Sequence, residues 1–292
     1  MGVAAGGPGQ GDGWGEDGQD TGPHGLYGGE PVRARPPVPK GTDPVTTAAT
    51  MIAVAVVVLL WRLGHVSRFT VIYFAVLIPS IILHEVSHGW VANAFGDDTA
   101  KRAGRLSLNP LVHVDLFGTI IVPALLIVVP AVTGAGAGVG FGWAKPVPVN
   151  VGRLRNPRNA SFWVSLAGPA TNAVLFVAFA LAFRFAAASQ WGVDPTTGAL
   201  ATGPQILFLG GLANVWVGLF NLLPVPPLDG SALVERFVPA RHLMSYYRMR
   251  QASMVVVFVL VFLVFRQPGV QHGFLRFALT LWNAVAGTHW SA

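Results

Sequence analysis

The chain has no cysteine. Disulfides, a thiol nucleophile and thiolate metal ligands are therefore excluded, and any transition metal would have to be held by His and carboxylate groups. Charge is scarce too. Only 11% of the 292 residues are Asp, Glu, Lys or Arg, against about 25% in an ordinary soluble domain. The hydrophobic share is 52% and the mean hydropathy +0.55. So little charge cannot coat a globule, and so much apolar side chain cannot be hidden inside one. The lipid bilayer is the natural solvent for such a chain. The formal net charge is +6, but the Lys and Arg are sparse and lie between apolar runs, as cytoplasmic-side anchors do. An Arg/Lys-rich face with interleaved aromatics is absent, which excludes nucleic acid as a partner. The Gly run at 134–142 fails the G-x-G-x-x-G spacing and G-x-x-x-x-G-K-[ST] is absent, so no phosphate site is inferred.

Residues 1–44 form a Gly/Pro-rich tail that cannot bury enough apolar area to offset its ordering entropy, and disorder is expected there. The tail lacks a basic n-region leading into an apolar run, so it does not read as a signal peptide. A bilayer span takes roughly 20 apolar residues. Candidate runs are Val45–Leu63, Phe69–Phe95, Leu116–Thr133, Phe162–Ala188, Gln205–Leu223, Ser253–Phe265 and, more weakly, Phe274–Ala286. Lys101, Arg102, Arg105, Arg153, Arg155, Arg158, Arg236 and Arg241 fall in loops that would share one side. The connection 190–204 carries no Lys or Arg. A multi-pass protein of the cell membrane with a cytoplasmic N-terminus follows. Both ends of Leu116–Asn150 look cytoplasmic, so either Leu116–Thr133 dips in and returns or Gly134–Asn150 re-enters. The expected fold is all-α and polytopic, with about six transmembrane helices and a short re-entrant β-like segment. Residues 45–250 form a membrane-embedded core, followed by transmembrane or amphipathic helices in 251–292.

The second run contains His84-Glu85-Val86-Ser87-His88. This is H-E-x-x-H on a predicted helix. Residues four apart leave the same helical face, so both imidazoles can hold one metal ion, with Glu85 beside a water on that ion. Zinc lowers the pKa of such a water to about 7, and Glu85 can accept its proton during attack on a carbonyl. The bland reading is a solvated helix face. The flanks VIYFAVLIPSIIL and VANAF argue against it, since ionisable groups about 24 Å along an apolar span usually mark function. Catalytic zinc takes three protein ligands. The third candidate is Asp229, in Asn221-Leu-Leu-Pro224-Val-Pro226-Pro227-Leu-Asp229-Gly230, where three prolines end the fifth run and force extended backbone. Alone, Asp229 would read as a helix cap; beside the upstream motif it is the best third ligand.

Together these residues resemble the site-2 protease family of intramembrane zinc metalloproteases. The segments Gly104–Thr119, Gly142–Asn150 and Gly168-Pro169-x-x-Asn172 add to the likeness, which covers roughly Val71–Val238. Leu116 departs from the pattern, standing where relatives often have Pro. The resemblance implies that His84, His88 and Asp229 bind one Zn2+, that Glu85 is the catalytic base, and that Asn221 polarises the scissile carbonyl or steadies the intermediate. It implies cleavage in or near the transmembrane segment of a membrane-protein substrate, often after an upstream site-1-type protease. Members of the family commonly carry a PDZ or CBS domain; the sequence offers no room for either, so a minimal, catalytic-core member is expected. Rival readings are a proton- or metal-coupled transporter and a pseudoprotease that binds membrane partners without cutting.

Asn172 reads equally as interhelical glue and as a functional amide, Asn214 as packing, and His113 and Asp115 as backbone-satisfying loop residues or as partners that orient a ligand. The alternating Pro146-Val147-Pro148-Val149-Asn150 is a candidate edge against which an unwound substrate could lie.

Overall fold

The structure is a computed structural model, and it describes residues 44–122, 124–125, 144–187, 200–239, 241–242, 245–246, 263–264 and 267–290. Helix α1 spans Pro44–Arg62, α2 Arg68–Ala94, α3 Thr99–Arg102, α4 Pro157–Ala187, α5 Thr202–Asn221, α6 Ser231–Glu235 and α7 Pro268–Ala286. Pro110–Val112 and Val151–Arg153 are single 3-10 turns, and Leu116–Ile121 is π-helical. The described residues are mostly helical and contain no β-strand.

Among the described residues, four helices are long and apolar enough to cross a membrane: α1, α2, α4 and α5. They fall on four of the apolar runs. The runs Leu116–Thr133 and Ser253–Phe265 lie largely outside the described residues, as does the expected disordered tail apart from Pro44. Residues 144–150 have no regular secondary structure and no strand partner among the described residues, although Asn150 itself is extended.

Helices α2, α4 and α5 pack on one another as a three-helix core, and α7 lies against α4 and α5. Helix α1 buries no residue and touches the π-helical segment instead. Without a hydrophobic driving force between helices in lipid, close approach comes from small residues. Helix α5 supplies them. A Cβ on Gly210 would lie 2.7 Å from the Phe179 ring, and one on Gly211 would fall into the Trp282 ring. Around that second contact Phe176, Phe183, Ala278, Trp282 and Ala286 form a buried cluster. Phe183 and Phe208 meet Trp282 edge to face, with centroids 5.2 Å apart in each case.

The bundle has two unlike ends. Ser67 caps α2 by accepting the Thr70 amide, and Arg68 beside it reaches Thr202 at the start of α5. The other end gathers the cations. Asp98 pairs with Arg102 at 2.9 Å and Arg153 at 2.7 Å, Arg155 donates to the Ala94 carbonyl, and Arg158 donates to the carbonyls of Arg236 and Val238. The basic loops singled out by the charge pattern thus lie at one end of the core.

Candidate metal centre

His84 and His88 project from α2 toward α4, and both are buried, at 3% and 8% exposure. Their Nε2 atoms are 3.1 Å apart. Asp229 arrives from the chain after α5. Its Oδ2 lies 3.0 Å from His84 Nε2 and 3.3 Å from His88 Nε2. Among the described residues these three form the one group of His and acidic side chains disposed to hold a metal ion.

The loop delivering Asp229 is built by its sequence. Helix α5 ends at Asn221, beyond which Pro224, Pro226 and Pro227 cannot continue a helix. The chain doubles back, and the Gly230 amide donates to the Asn221 carbonyl at 2.7 Å. A Cβ on Gly230 would meet the Leu222 carbonyl oxygen and come within 2.5 Å of the Leu223 oxygen. Only glycine closes this turn.

Hydrogen bonds at the far side of each ring fix the protons. His88 Nδ1–H donates to the Val164 carbonyl at 2.6 Å, and that oxygen can only accept. His84 Nδ1–H donates to Asn172 Oδ1 at 2.6 Å. Each neutral ring therefore turns an Nε2 lone pair inward. Asp229 Oδ2 is buried with no hydrogen-bond donor. Two nitrogen lone pairs and a carboxylate oxygen thus face one another at close range with nothing positive between them, which a cation relieves. The spacing suits zinc. A tetrahedron with bonds of about 2.0–2.1 Å has edges of about 3.3–3.4 Å, against the observed 3.0, 3.1 and 3.3 Å. Gly168 on α4 keeps the place open: its absent Cβ would lie 2.5 Å from His84 Nε2 and from His88 Nε2. The donor set fits zinc: imidazole suits it, and one carboxylate completes three protein ligands.

Glu85 is half-buried, and its Oε2 accepts the Val147 amide at 3.1 Å. Residues 144–150 are pinned across this side of the site. Lys145 N–H donates to the His113 carbonyl at 2.8 Å, and Asn150 N–H to Asp97 Oδ2 at 2.6 Å. Asp97 is fully buried, and its Oδ1 accepts the Thr99 amide. Its part in holding this segment was not legible in Gly96-Asp97-Asp98-Thr99, which reads as an ordinary helix start. Asn221 ends α5 with its Nδ2 donating to the Val217 carbonyl at 3.0 Å.

His113 and Asp115 serve the backbone. His113 Nε2–H donates to the Ser107 carbonyl at 2.7 Å, and Asp115 Oδ1 accepts the Gly118 amide at 2.7 Å. Burial holds the His113 pKa below its ordinary value, helped by the Arg105 charge and opposed by the Ser107 bond.

Comparison with known proteins points to zinc metalloproteases. The family model described as Peptidase family M50 matches residues 193–264, a segment that includes Asp229. "Putative zinc metalloprotease YwhC" of Bacillus subtilis is 41% identical over 165 residues, 56% of this chain and 67% of that protein. "Putative zinc metalloprotease Rip2" of Mycolicibacterium smegmatis is 31% identical over 199 residues, 68% of this chain and 69% of its own length. "Putative zinc metalloprotease Rip3" of Mycobacterium tuberculosis is 38% identical over 92 residues, 31% of this chain and 21% of that protein. No solved structure matches the chain. Identity at this level over two thirds of two relatives makes the chain a member of peptidase family M50, the zinc metalloproteases of the site-2 protease type.

Proposed function

We propose that the protein is an intramembrane endopeptidase that cuts membrane-protein substrates in or beside their transmembrane segments, using zinc held by His84, His88 and Asp229. The observation that carries this reading is the meeting of two imidazole lone pairs and an unpartnered carboxylate oxygen within a bundle of apolar helices. A zinc ion bound there supplies Lewis acidity toward a carbonyl and a water acidic enough to lose its proton near neutral pH.

The chain's own residues supply the rest. Glu85 accepts a proton from the attacking water and returns it to the nitrogen of the departing amine as the C–N bond breaks. Its hydrogen bond from the Val147 amide keeps the carboxylate aimed while leaving further lone pairs for that water. Asn221 turns its amide from the Val217 carbonyl to the oxygen that gains charge on the scissile carbon. A transmembrane substrate must unwind first, because its amides are committed to its own helix. Residues 144–150 are where the extended stretch then lies. Pro146 and Pro148 have no N–H, so an incoming strand meets carbonyl acceptors there. This segment is the re-entrant element of the fold.

Around this centre α1, α2, α4 and α5 cross the bilayer, joined by the runs Leu116–Thr133 and Ser253–Phe265 to give six spans. The gathering of Arg102, Arg153, Arg155 and Arg158 at one end of the bundle supports a cytoplasmic face there and the cell membrane as the location. Substrates of this kind often reach the site after an upstream protease has removed their outer part.

The test uses purified protein in liposomes with a single-span substrate peptide. Wild type cleaves it and loses cleavage to a chelator. Glu85→Gln keeps its zinc and does not cleave, and His84→Ala loses both. Turnover by Glu85→Gln would refute the role of the base. Ion flux without cleavage by wild type would replace the peptidase reading with a transporter.

A further inference from the structure

A chain of buried amides runs away from the centre through all three core helices. His84 on α2 meets Asn172 on α4, and Asn172 Nδ2 donates to Asn214 Oδ1 on α5 at 2.8 Å. The two amide protons of Asn214 go to Ser80 Oγ at 2.9 Å and to the Gly210 carbonyl at 2.8 Å. Ser80 in turn donates to the Val76 carbonyl. Asn172, Asn214 and Ser80 are 0%, 1% and 3% exposed. In apolar sequence such amides read as packing or as glue between helices.

The direction of the bonds says more. The Gly210 oxygen is a backbone acceptor and cannot donate. It forces the NH2 end of Asn214 toward itself, so Asn214 Oδ1 faces Asn172. Asn172 must then present its NH2 there and its Oδ1 to His84. A ring nitrogen facing an amide oxygen must carry the proton, which leaves the lone pair on His84 Nε2. We propose that Asn172 and Asn214 are positioning residues: a relay, with its polarity set by the Gly210 carbonyl, that holds His84 in the Nδ1–H form its metal-facing nitrogen requires. His88 needs no relay, because its partner is already a carbonyl. The inference rests on the metal-centre reading above and adds two residues that touch neither metal nor substrate.

The relay makes a prediction that helix glue does not. Its members act in series. Without Asn214, the Asn172 amide can turn its NH2 toward His84, and half the restraint on the ring is lost. Partners that orient a ligand are typically worth about 10–100-fold in metal affinity. The experiment is zinc affinity of the purified full chain, measured by competition with a chromophoric chelator, with elution profile and unfolding midpoint as controls for fold. Asn172→Leu is expected to weaken zinc by about 100-fold and Asn214→Leu by about 10-fold. The double variant is expected to be no weaker than Asn172→Leu alone, because groups in series do not add. Asn172→Asp placed in the Asn214→Leu background is expected to restore affinity, since a carboxylate accepts at both ends and needs nothing to orient it. Asn214→Ala replaces Asn214→Leu if the larger side chain upsets folding. Wild-type zinc affinity in a folded Asn214 variant, additive losses in the double variant, or failure of Asn172→Asp to rescue would each overturn the relay. Failure of wild type itself to bind zinc would instead overturn the metal centre.

Discussion

Gly168→Ala adds one methyl group at the point where α4 meets both imidazoles. The new carbon would lie 2.5 Å from His84 Nε2, His84 Cε1 and His88 Nε2, where ordinary contact begins at 3.4 Å. The rings or the helix must therefore yield by about 0.9 Å, the difference between those distances. Ligand distances at a zinc site tolerate about 0.2 Å. The rings cannot yield freely, because their Nδ1 atoms are tied to Val164 and Asn172. Inserting a methyl into a packed site costs about 1–3 kcal/mol, and if it all falls on the metal-loaded state zinc weakens by about 5- to 150-fold. The assay is zinc content and chelator-competition affinity of the purified protein, followed by cleavage at saturating zinc. Gly203→Ala is the control, since a Cβ there meets nothing within 4 Å. A Gly168→Ala protein with wild-type zinc affinity and turnover would refute the argument that α4 packs directly on the ligands.

Other consequences follow from the same geometry. Gly230→Ala drives a methyl into the backbone at Leu222 and Leu223. Displacement of Asp229 should then empty the site, visible as loss of bound zinc in a protein that still elutes as wild type. Asp97→Ala strands the amides of Thr99 and Asn150, each worth about 1–3 kcal/mol if left buried and unpaired; zinc content should hold while turnover falls, and unchanged turnover would show that residues 144–150 do not need this clamp. Lowering pH should destabilise the fold through His113. Its folded pKa lies below the unfolded value of about 6.5, so below that pH the unfolded chain takes up a proton the folded one resists, and stability falls. Unfolding midpoints at pH 7.5 and 5.5 should differ less in His113→Gln than in wild type.

The parts of the site legible in the sequence were those whose chemistry is stated by residue type and spacing. His84 and His88 lie four apart in an apolar run, so the helix alone puts them on one face. Asp229 was marked by prolines that end a span and by a glycine that permits the turn. The supporting residues carry no such mark. A glycine says that a neighbour comes close but not that the neighbour is a ligand, so Gly168 stood out only through its place in a family-like segment. Asn214 looks like any amide in a membrane helix until its partners and their donor or acceptor character are known. Asp97 resembles a helix cap, and its second oxygen finds Asn150 only through the fold. For the helices, four apolar runs became helices long and apolar enough to cross a bilayer, because length and composition suffice there. The position of α1 outside the three-helix core could not be read, since length and composition mark a span without saying which other spans it packs against.

The most direct test of the account is X-ray absorption at the zinc edge on the purified protein, comparing wild type with Asp229→Ala. For wild type the account predicts one zinc per chain with two imidazole nitrogens and a carboxylate oxygen at about 2.0–2.2 Å, and loss of the oxygen or of the metal in Asp229→Ala. A wild-type spectrum without two imidazoles, or one unchanged by Asp229→Ala, would contradict it.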